Sequence, residues 1–149
     1  MPLKESYEKA LRRAVETAPY YQLLRITLEK IDEGFARFRM PFRKELTQAY
    51  GVVHGGAIAS LADTAVAFAL MTLIHPGERV TTAELKMNFL TSVHNGEMIG
   101  EARIIHKGKK LVLADMEVKR EDGKLIAKGL ATYVILASPK TSEEMDGRK

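Results

Sequence analysis

The sequence contains no cysteine, which excludes a disulfide framework, thiolate metal sites and a cysteine nucleophile. The opening MPLKESYEKALRR has no apolar stretch of the secretory kind, so the expected location is the cytoplasm. No serine stands in a Gly-x-Ser-x-Gly elbow, which argues against an α/β-hydrolase triad. The four histidines, His54, His75, His94 and His106, form no ligand pattern such as His-x-x-x-His, and no metal is expected. Concentrated positive charge is missing too. Basic and acidic side chains number ten and seven in residues 1–50, two and four in 51–100, and eleven and eight in 101–149. A duplex-binding face needs a dense Lys/Arg patch, so nucleic acid is not an expected partner. Internal repeats and low-complexity tracts are absent as well.

What remains is an ordinary globular composition, 46% hydrophobic and 28% charged over 149 residues, enough for one domain. Tyr7, Leu11, Ala14, Val15 and Ala18 share a face of a predicted helix over 4–18, which Pro19 stops. Short strands are expected at roughly 22–31 and 34–42, joined by Asp32-Glu33-Gly34. Residues 57–74, AIASLADTAVAFALMTLI, are apolar on nearly every face and predict a helix enclosed by protein or lipid. Asp63 decides between these. An aspartate at a bilayer centre costs about 2.5–3.5 kcal/mol, so no membrane is expected. Ala83, Leu85, Met87 and Phe89 then alternate with Thr82, Glu84, Lys86 and Asn88, the period of a half-buried strand. Three more strands are expected near 97–106, 110–120 and 124–137, linked by Asn95-Gly96, Lys107-Gly108-Lys109 and Asp122-Gly123.

The expected division is an N-terminal helix over 1–19, a domain over 20–137 and a polar tail over 138–149. The fold class is α+β. A flat sheet covers only one side of a helix, so the strands must curl around this one, or a partner must close the open side. A long central apolar helix wrapped by a mostly antiparallel curved sheet is the hotdog fold.

Asp63, between Leu61-Ala62 and Ala65-Val66-Ala67, is costly to bury unless paired, hydrogen-bonded or protonated. It reads either as a structural hydrogen-bonder or as a base or nucleophile whose pKa desolvation raises toward neutrality. Gly55 and Gly56 precede the helix. Their N–H groups belong to its unsatisfied first turn, which can stabilise an oxyanion or simply make a tight turn. Lys107, Lys109 and Lys110 around Gly108 suit one phosphate-bearing small molecule, or a solvated hairpin tip.

Gln48-x-x-Gly51-x-x-His54-Gly55-Gly56, followed by Leu61-Ala62-Asp63, resembles the hotdog acyl-CoA thioesterases of the phenylacetate-pathway (PaaI-like) type, over about residues 20–137. The resemblance implies hydrolysis of an acyl-CoA to a carboxylate and free CoA, with no cofactor, since CoA is part of the substrate. Asp63 would attack the thioester carbonyl or activate a water, and Gly55 would be the oxyanion donor. His54 would hold the loop or touch the thioester. Gln48 stands where many relatives carry Asn. Thr82, next to Thr81, aligns with a Ser/Thr that orients the nucleophile. Substrate would bind at Gly56, along the stretch Phe89, Leu90, Thr91 and Ser92, and at the hairpin His106, Lys107, Gly108, Lys109 and Lys110. Self-association to a homodimer, and from it a tetramer, is expected. Helix geometry adds an independent argument: Gly55 and Asp63, eight residues apart, lie about 12 Å apart along a helix axis. Two groups so far apart do not reach one carbonyl, which predicts a site shared across a two-fold interface. Rival readings are an acyl-CoA sensor without turnover, which should lack the helix carboxylate, and a hotdog hydratase or dehydratase, which needs an Asp/His pair.

Overall fold

A computed structural model describes residues 2–137; the polar tail over 138–149 lies outside the described residues. Helix α1 (Glu5–Thr17) buries Leu11 and Val15 and carries the i,i+4 pairs Glu5–Lys9, which is exposed, and Glu8–Arg12, whose arginine also donates to the Leu28 carbonyl. Pro19 ends the first pattern, as expected, but it also starts another. It occupies the first turn of a short helix, α2 (Pro19–Leu24), where its fixed φ and missing N–H cost nothing. The strand expected from residue 22 therefore begins only at Thr27, after Arg25 closes α2 in the left-handed conformation, with φ 55°.

The remaining elements are β1 (Thr27–Asp32), β2 (Phe35–Pro41), a 3-10 turn at Lys44–Leu46, α3 (Gly55–Met71), β3 (Arg79–Phe89), β4 (Glu97–Lys107), β5 (Leu111–Arg120) and β6 (Leu125–Leu136). The six strands form one antiparallel sheet in the order β1-β2-β4-β5-β6-β3. It curls around α3, whose Leu61, Ala62, Ala65, Val66, Phe68, Ala69 and Leu70 are almost wholly buried against it. Phe68 packs edge-on against both Phe38 and Tyr21. Gly100 lets the helix lie this close: a Cβ there would stand 2.7 Å from Leu61 Cγ. No helix among the described residues is long and apolar enough to cross a membrane.

β3 departs from the simple alternation. Thr82 pairs with Tyr133 and Glu84 with Thr132, leaving Ala83 as an extra residue in a β-bulge. A bulge shifts the side-chain phase by one. Thr82, opposite the buried Tyr133, therefore faces the helix; so do Leu85 and Met87, opposite the buried Ala131 and Gly129, while the expected inward Ala83 is exposed. β3 is also an edge strand, and none of its eleven residues is fully buried.

Candidate active site

Asp63 sits in the third turn of α3 and is only half-buried. Its sequence neighbours suggested an apolar surround, but helix geometry sends Leu61, Ala62, Ala65 and Val66 toward the sheet. The carboxylate instead lines a cavity of about 400 Å³ between α2, α3, the start of β3 and Tyr133 of β6. Two hydroxyls converge on it. Thr82 Oγ1 lies 2.9 Å from Oδ1 and 3.2 Å from Oδ2. Tyr133 donates from β6 to Oδ1 at 2.5 Å and lies 2.8 Å from the Asp63 carbonyl oxygen. Burial first, and the bond to Asp63 second, push the Tyr133 phenol far above its ordinary range. It therefore stays protonated and remains a donor.

Sequence reasoning missed Tyr133. The signal was the period of β6, which turns Ala131, Tyr133 and Ile135 inward. A buried tyrosine hydroxyl needs a partner, and Asp63 was the one acid in the enclosed helix. Of the two adjacent threonines, Thr82 is the one whose hydroxyl meets Asp63, because of the bulge.

Gln48, His54 and Gly55 gather at the other end of the helix. The 46–54 loop is fixed by its backbone: His54 N–H donates to Leu46 O, Val53 N–H to Val93 O and Gly51 N–H to Gln48 O. Gln48 uses its Oε1 to accept the Tyr50 N–H, leaving its amide NH₂ for another partner. His54 is the N-cap of α3, its Nδ1 accepting the Gly56 N–H at 2.7 Å. That bond places the ring proton of a neutral His54 on Nε2. Gly56 must stay a glycine for this cap, because a Cβ would meet Nδ1 at 2.9 Å. Gly55 opens instead on a smaller cavity, about 190 Å³, lined by Phe89, Leu90, Thr91 and Ser92. The Phe89 ring lies 3.4 Å from where a Gly55 Cβ would stand.

One chain does not join these two groups. Phe89 and Thr82 mark opposite ends of β3, roughly 23 Å apart at strand rise. The hairpin of His106, Lys107, Gly108, Lys109 and Lys110 lies at the Thr82 end, since Lys107 pairs with Val112, Val112 with Tyr133, and Tyr133 with Thr82. Its three lysines are exposed and make no ion pair among the described residues. Within one chain the structure thus separates the hairpin from the Phe89–Ser92 stretch. No group of three or more His, Asp or Glu among the described residues is placed to hold a metal ion.

This is a hotdog fold with an acid in its central helix and the open Gly55 amide at that helix's start. The sequence model of the Thioesterase superfamily matches residues 50–127, and the chain belongs to that family. It is 34% identical over 125 residues to the protein SSO1253 of Saccharolobus solfataricus, covering 84% of this chain and 83% of that one. It is 30% identical over 101 residues to the proofreading thioesterase EntH of Klebsiella pneumoniae, covering 68% and 74%. The solved PaaI protein of the E. coli phenylacetic acid degradation operon superposes with a TM-score of 0.80 at 25% identity, covering 91% of this chain and 96% of that one. The protein is a thioester hydrolase.

Proposed function

We propose that the protein hydrolyses acyl-CoA thioesters, with Asp63 as general base. The observation that carries this reading is the carboxylate fixed by two hydroxyls at the wall of a cavity. Oδ1 takes the Tyr133 bond and the shorter of the two Thr82 contacts, which leaves Oδ2 the freer to take a proton from water. That water adds to the thioester carbonyl carbon, the oxyanion accepts the Gly55 N–H at the positive end of α3, and the C–S bond breaks as the sulfur receives the proton. Gln48 NH₂ and the His54 Nε2–H are further donors beside that amide. His54 serves the site by capping Gly56, and Lys109 and Lys110 meet the CoA phosphates.

Two copies complete the site. β3 is an exposed sheet edge, open to a second strand. Antiparallel pairing of two β3 strands about their middle sets the Thr82 end of one beside the Phe89 end of the other. Gln48, His54, Gly55 and Phe89–Ser92 of one chain then face Asp63, Thr82, Tyr133 and the lysine hairpin of its partner. The carboxylate in the helix speaks against a sensor without turnover. Release of free thiol from a panel of short-chain, long-chain and aromatic acyl-CoA substrates tests the reading; no release from any of them refutes it.

Two substitutions probe its parts. Tyr133→Phe keeps the buried ring and removes one donor, so kcat should fall about tenfold with KM within about twofold, on the scale of one hydrogen bond to a charged group. An unchanged kcat in a protein of lower Tm would reduce Tyr133 to a tether between β6 and α3. Replacing Lys109 and Lys110 together by alanine should raise KM for acyl-CoA and soften its salt dependence. Thioesters cut short of the nucleotide should be unaffected, and equal losses for both substrate types would remove the lysines from phosphate binding.

A further inference from the structure

The cavity beside Asp63 is bounded on one side by a segment outside residues 50–127, the part matched by the family model. Its floor is one face of α3, where Ser60, Asp63, Ala67 and Met71 succeed each other along roughly 16 Å of helix, of which roughly 12 Å lies beyond the acid. The first and third of these are small, and they leave a groove. Val80 and Thr81 form one flank, and Tyr20 and Tyr21 of α2 form the other.

The α2 flank is held in place. Tyr20 Oη lies 2.6 Å from Ser60 Oγ, and Ser60 Oγ donates its single proton to Gly56 O at 2.9 Å. Tyr20 is therefore the donor to Ser60, and it turns its ring rather than its proton toward the groove. Tyr21 is braced edge-on against Phe68, with ring centroids 5.8 Å apart. Its hydroxyl has no partner among the described residues. Burial first, and Asp63 second, raise its pKa, so it is a neutral donor. No lysine, arginine or histidine lines the cavity, while Asp63 brings a carboxylate to it.

We infer that this groove takes the acyl group, that it selects an uncharged chain with an apolar far end, and that Tyr20 and Ala67 set how much of that chain enters. This rests on the acyl-CoA reading above. An acyl group ending in a carboxylate would lie beside Asp63 with no cation to offset the repulsion. An uncharged chain extends past Ala67 toward Met71 and Val80, burying apolar surface on both sides. Helix α2 thus acts as a specificity wall, while the chemistry stays on α3, β3 and β6.

The experiment compares kcat/KM for acetyl-, butyryl-, decanoyl- and succinyl-CoA in wild type and in Ala67→Phe, Tyr20→Ala and Tyr20→Phe variants. Wild type should prefer butyryl-CoA over succinyl-CoA by at least about tenfold, the discrimination expected when a pocket must leave a charge unpaired. Ala67→Phe should lower the decanoyl-to-acetyl ratio by about tenfold or more. Tyr20→Ala should raise that ratio severalfold, and by more than Tyr20→Phe, which loses the bond to Ser60 but keeps the ring. Should Ala67→Phe fail to fold, the half-exposed Tyr20 pair carries the test alone. A wild type that releases thiol while preferring succinyl-CoA, or whose decanoyl-to-acetyl ratio stays within twofold in Tyr20→Ala, overturns the inference and leaves the hydrolase reading standing. No thiol release from any substrate overturns both.

Discussion

Asp63→Asn should lower turnover of the best acyl-CoA substrate by at least about 10²-fold, the scale for losing a positioned base. The substitution is nearly isosteric. The amide oxygen can still accept from Thr82 and Tyr133, so the link between α3, β3 and β6 survives. What disappears is the capacity to take a proton or to attack a carbonyl. KM should change little, because the proposed oxyanion donor and phosphate contacts come from Gly55 and from the lysine hairpin. The check is kcat from thiol release beside a thermal melt. A variant that melts like wild type and turns over like wild type would remove Asp63 from the chemistry. One that fails to fold would show that the carboxylate's tie to Tyr133 is structural first.

The same residue shows what a sequence reveals and what it withholds. Asp63, Gly55 and His54 are legible because they lie within ten residues of one another, and local chemistry assigns them to a helix start and a helix interior. The order of strands after α3 is legible for a similar reason: turn residues such as Asn95-Gly96 and Asp122-Gly123 punctuate a period-two pattern. Pro19 misleads because one residue both ends a helix and begins another, and six residues of PYYQLL have no period long enough to separate the two cases. The bulge at Ala83 is invisible for a deeper reason. Thr82 faces Asp63 only because the pairing with β6 absorbs one residue, and pairing is a property of two strands fifty residues apart. Tyr133 and Tyr20 were missed on the same ground. Each reaches α3 from a distant part of the chain, 70 residues away for Tyr133 and 40 for Tyr20.

Co-expressing Gln48→Ala and Asp63→Ala chains, each inactive alone, should restore about a quarter of wild-type activity. Random pairing makes about half the dimers mixed, and each mixed dimer holds one site assembled entirely from unaltered residues. The geometry behind this expectation is measurable in a single chain. Gly55 and Asp63 open on separate cavities, and an oxyanion donor and a base must both come within about 3 Å of one reacting group. β3 offers the means to bring them together. It is long, lies at the sheet edge, and carries the half-buried Leu85 and Met87 beside exposed neighbours. A second β3 would cover these and place the partner's Gly55 near Asp63. Verified mixed dimers that remain as inactive as either parent would mean that each chain builds its own site. In that case α3 or the 46–54 loop must move by about two helical turns on substrate binding, a displacement that hydrogen exchange across residues 46–63 would register.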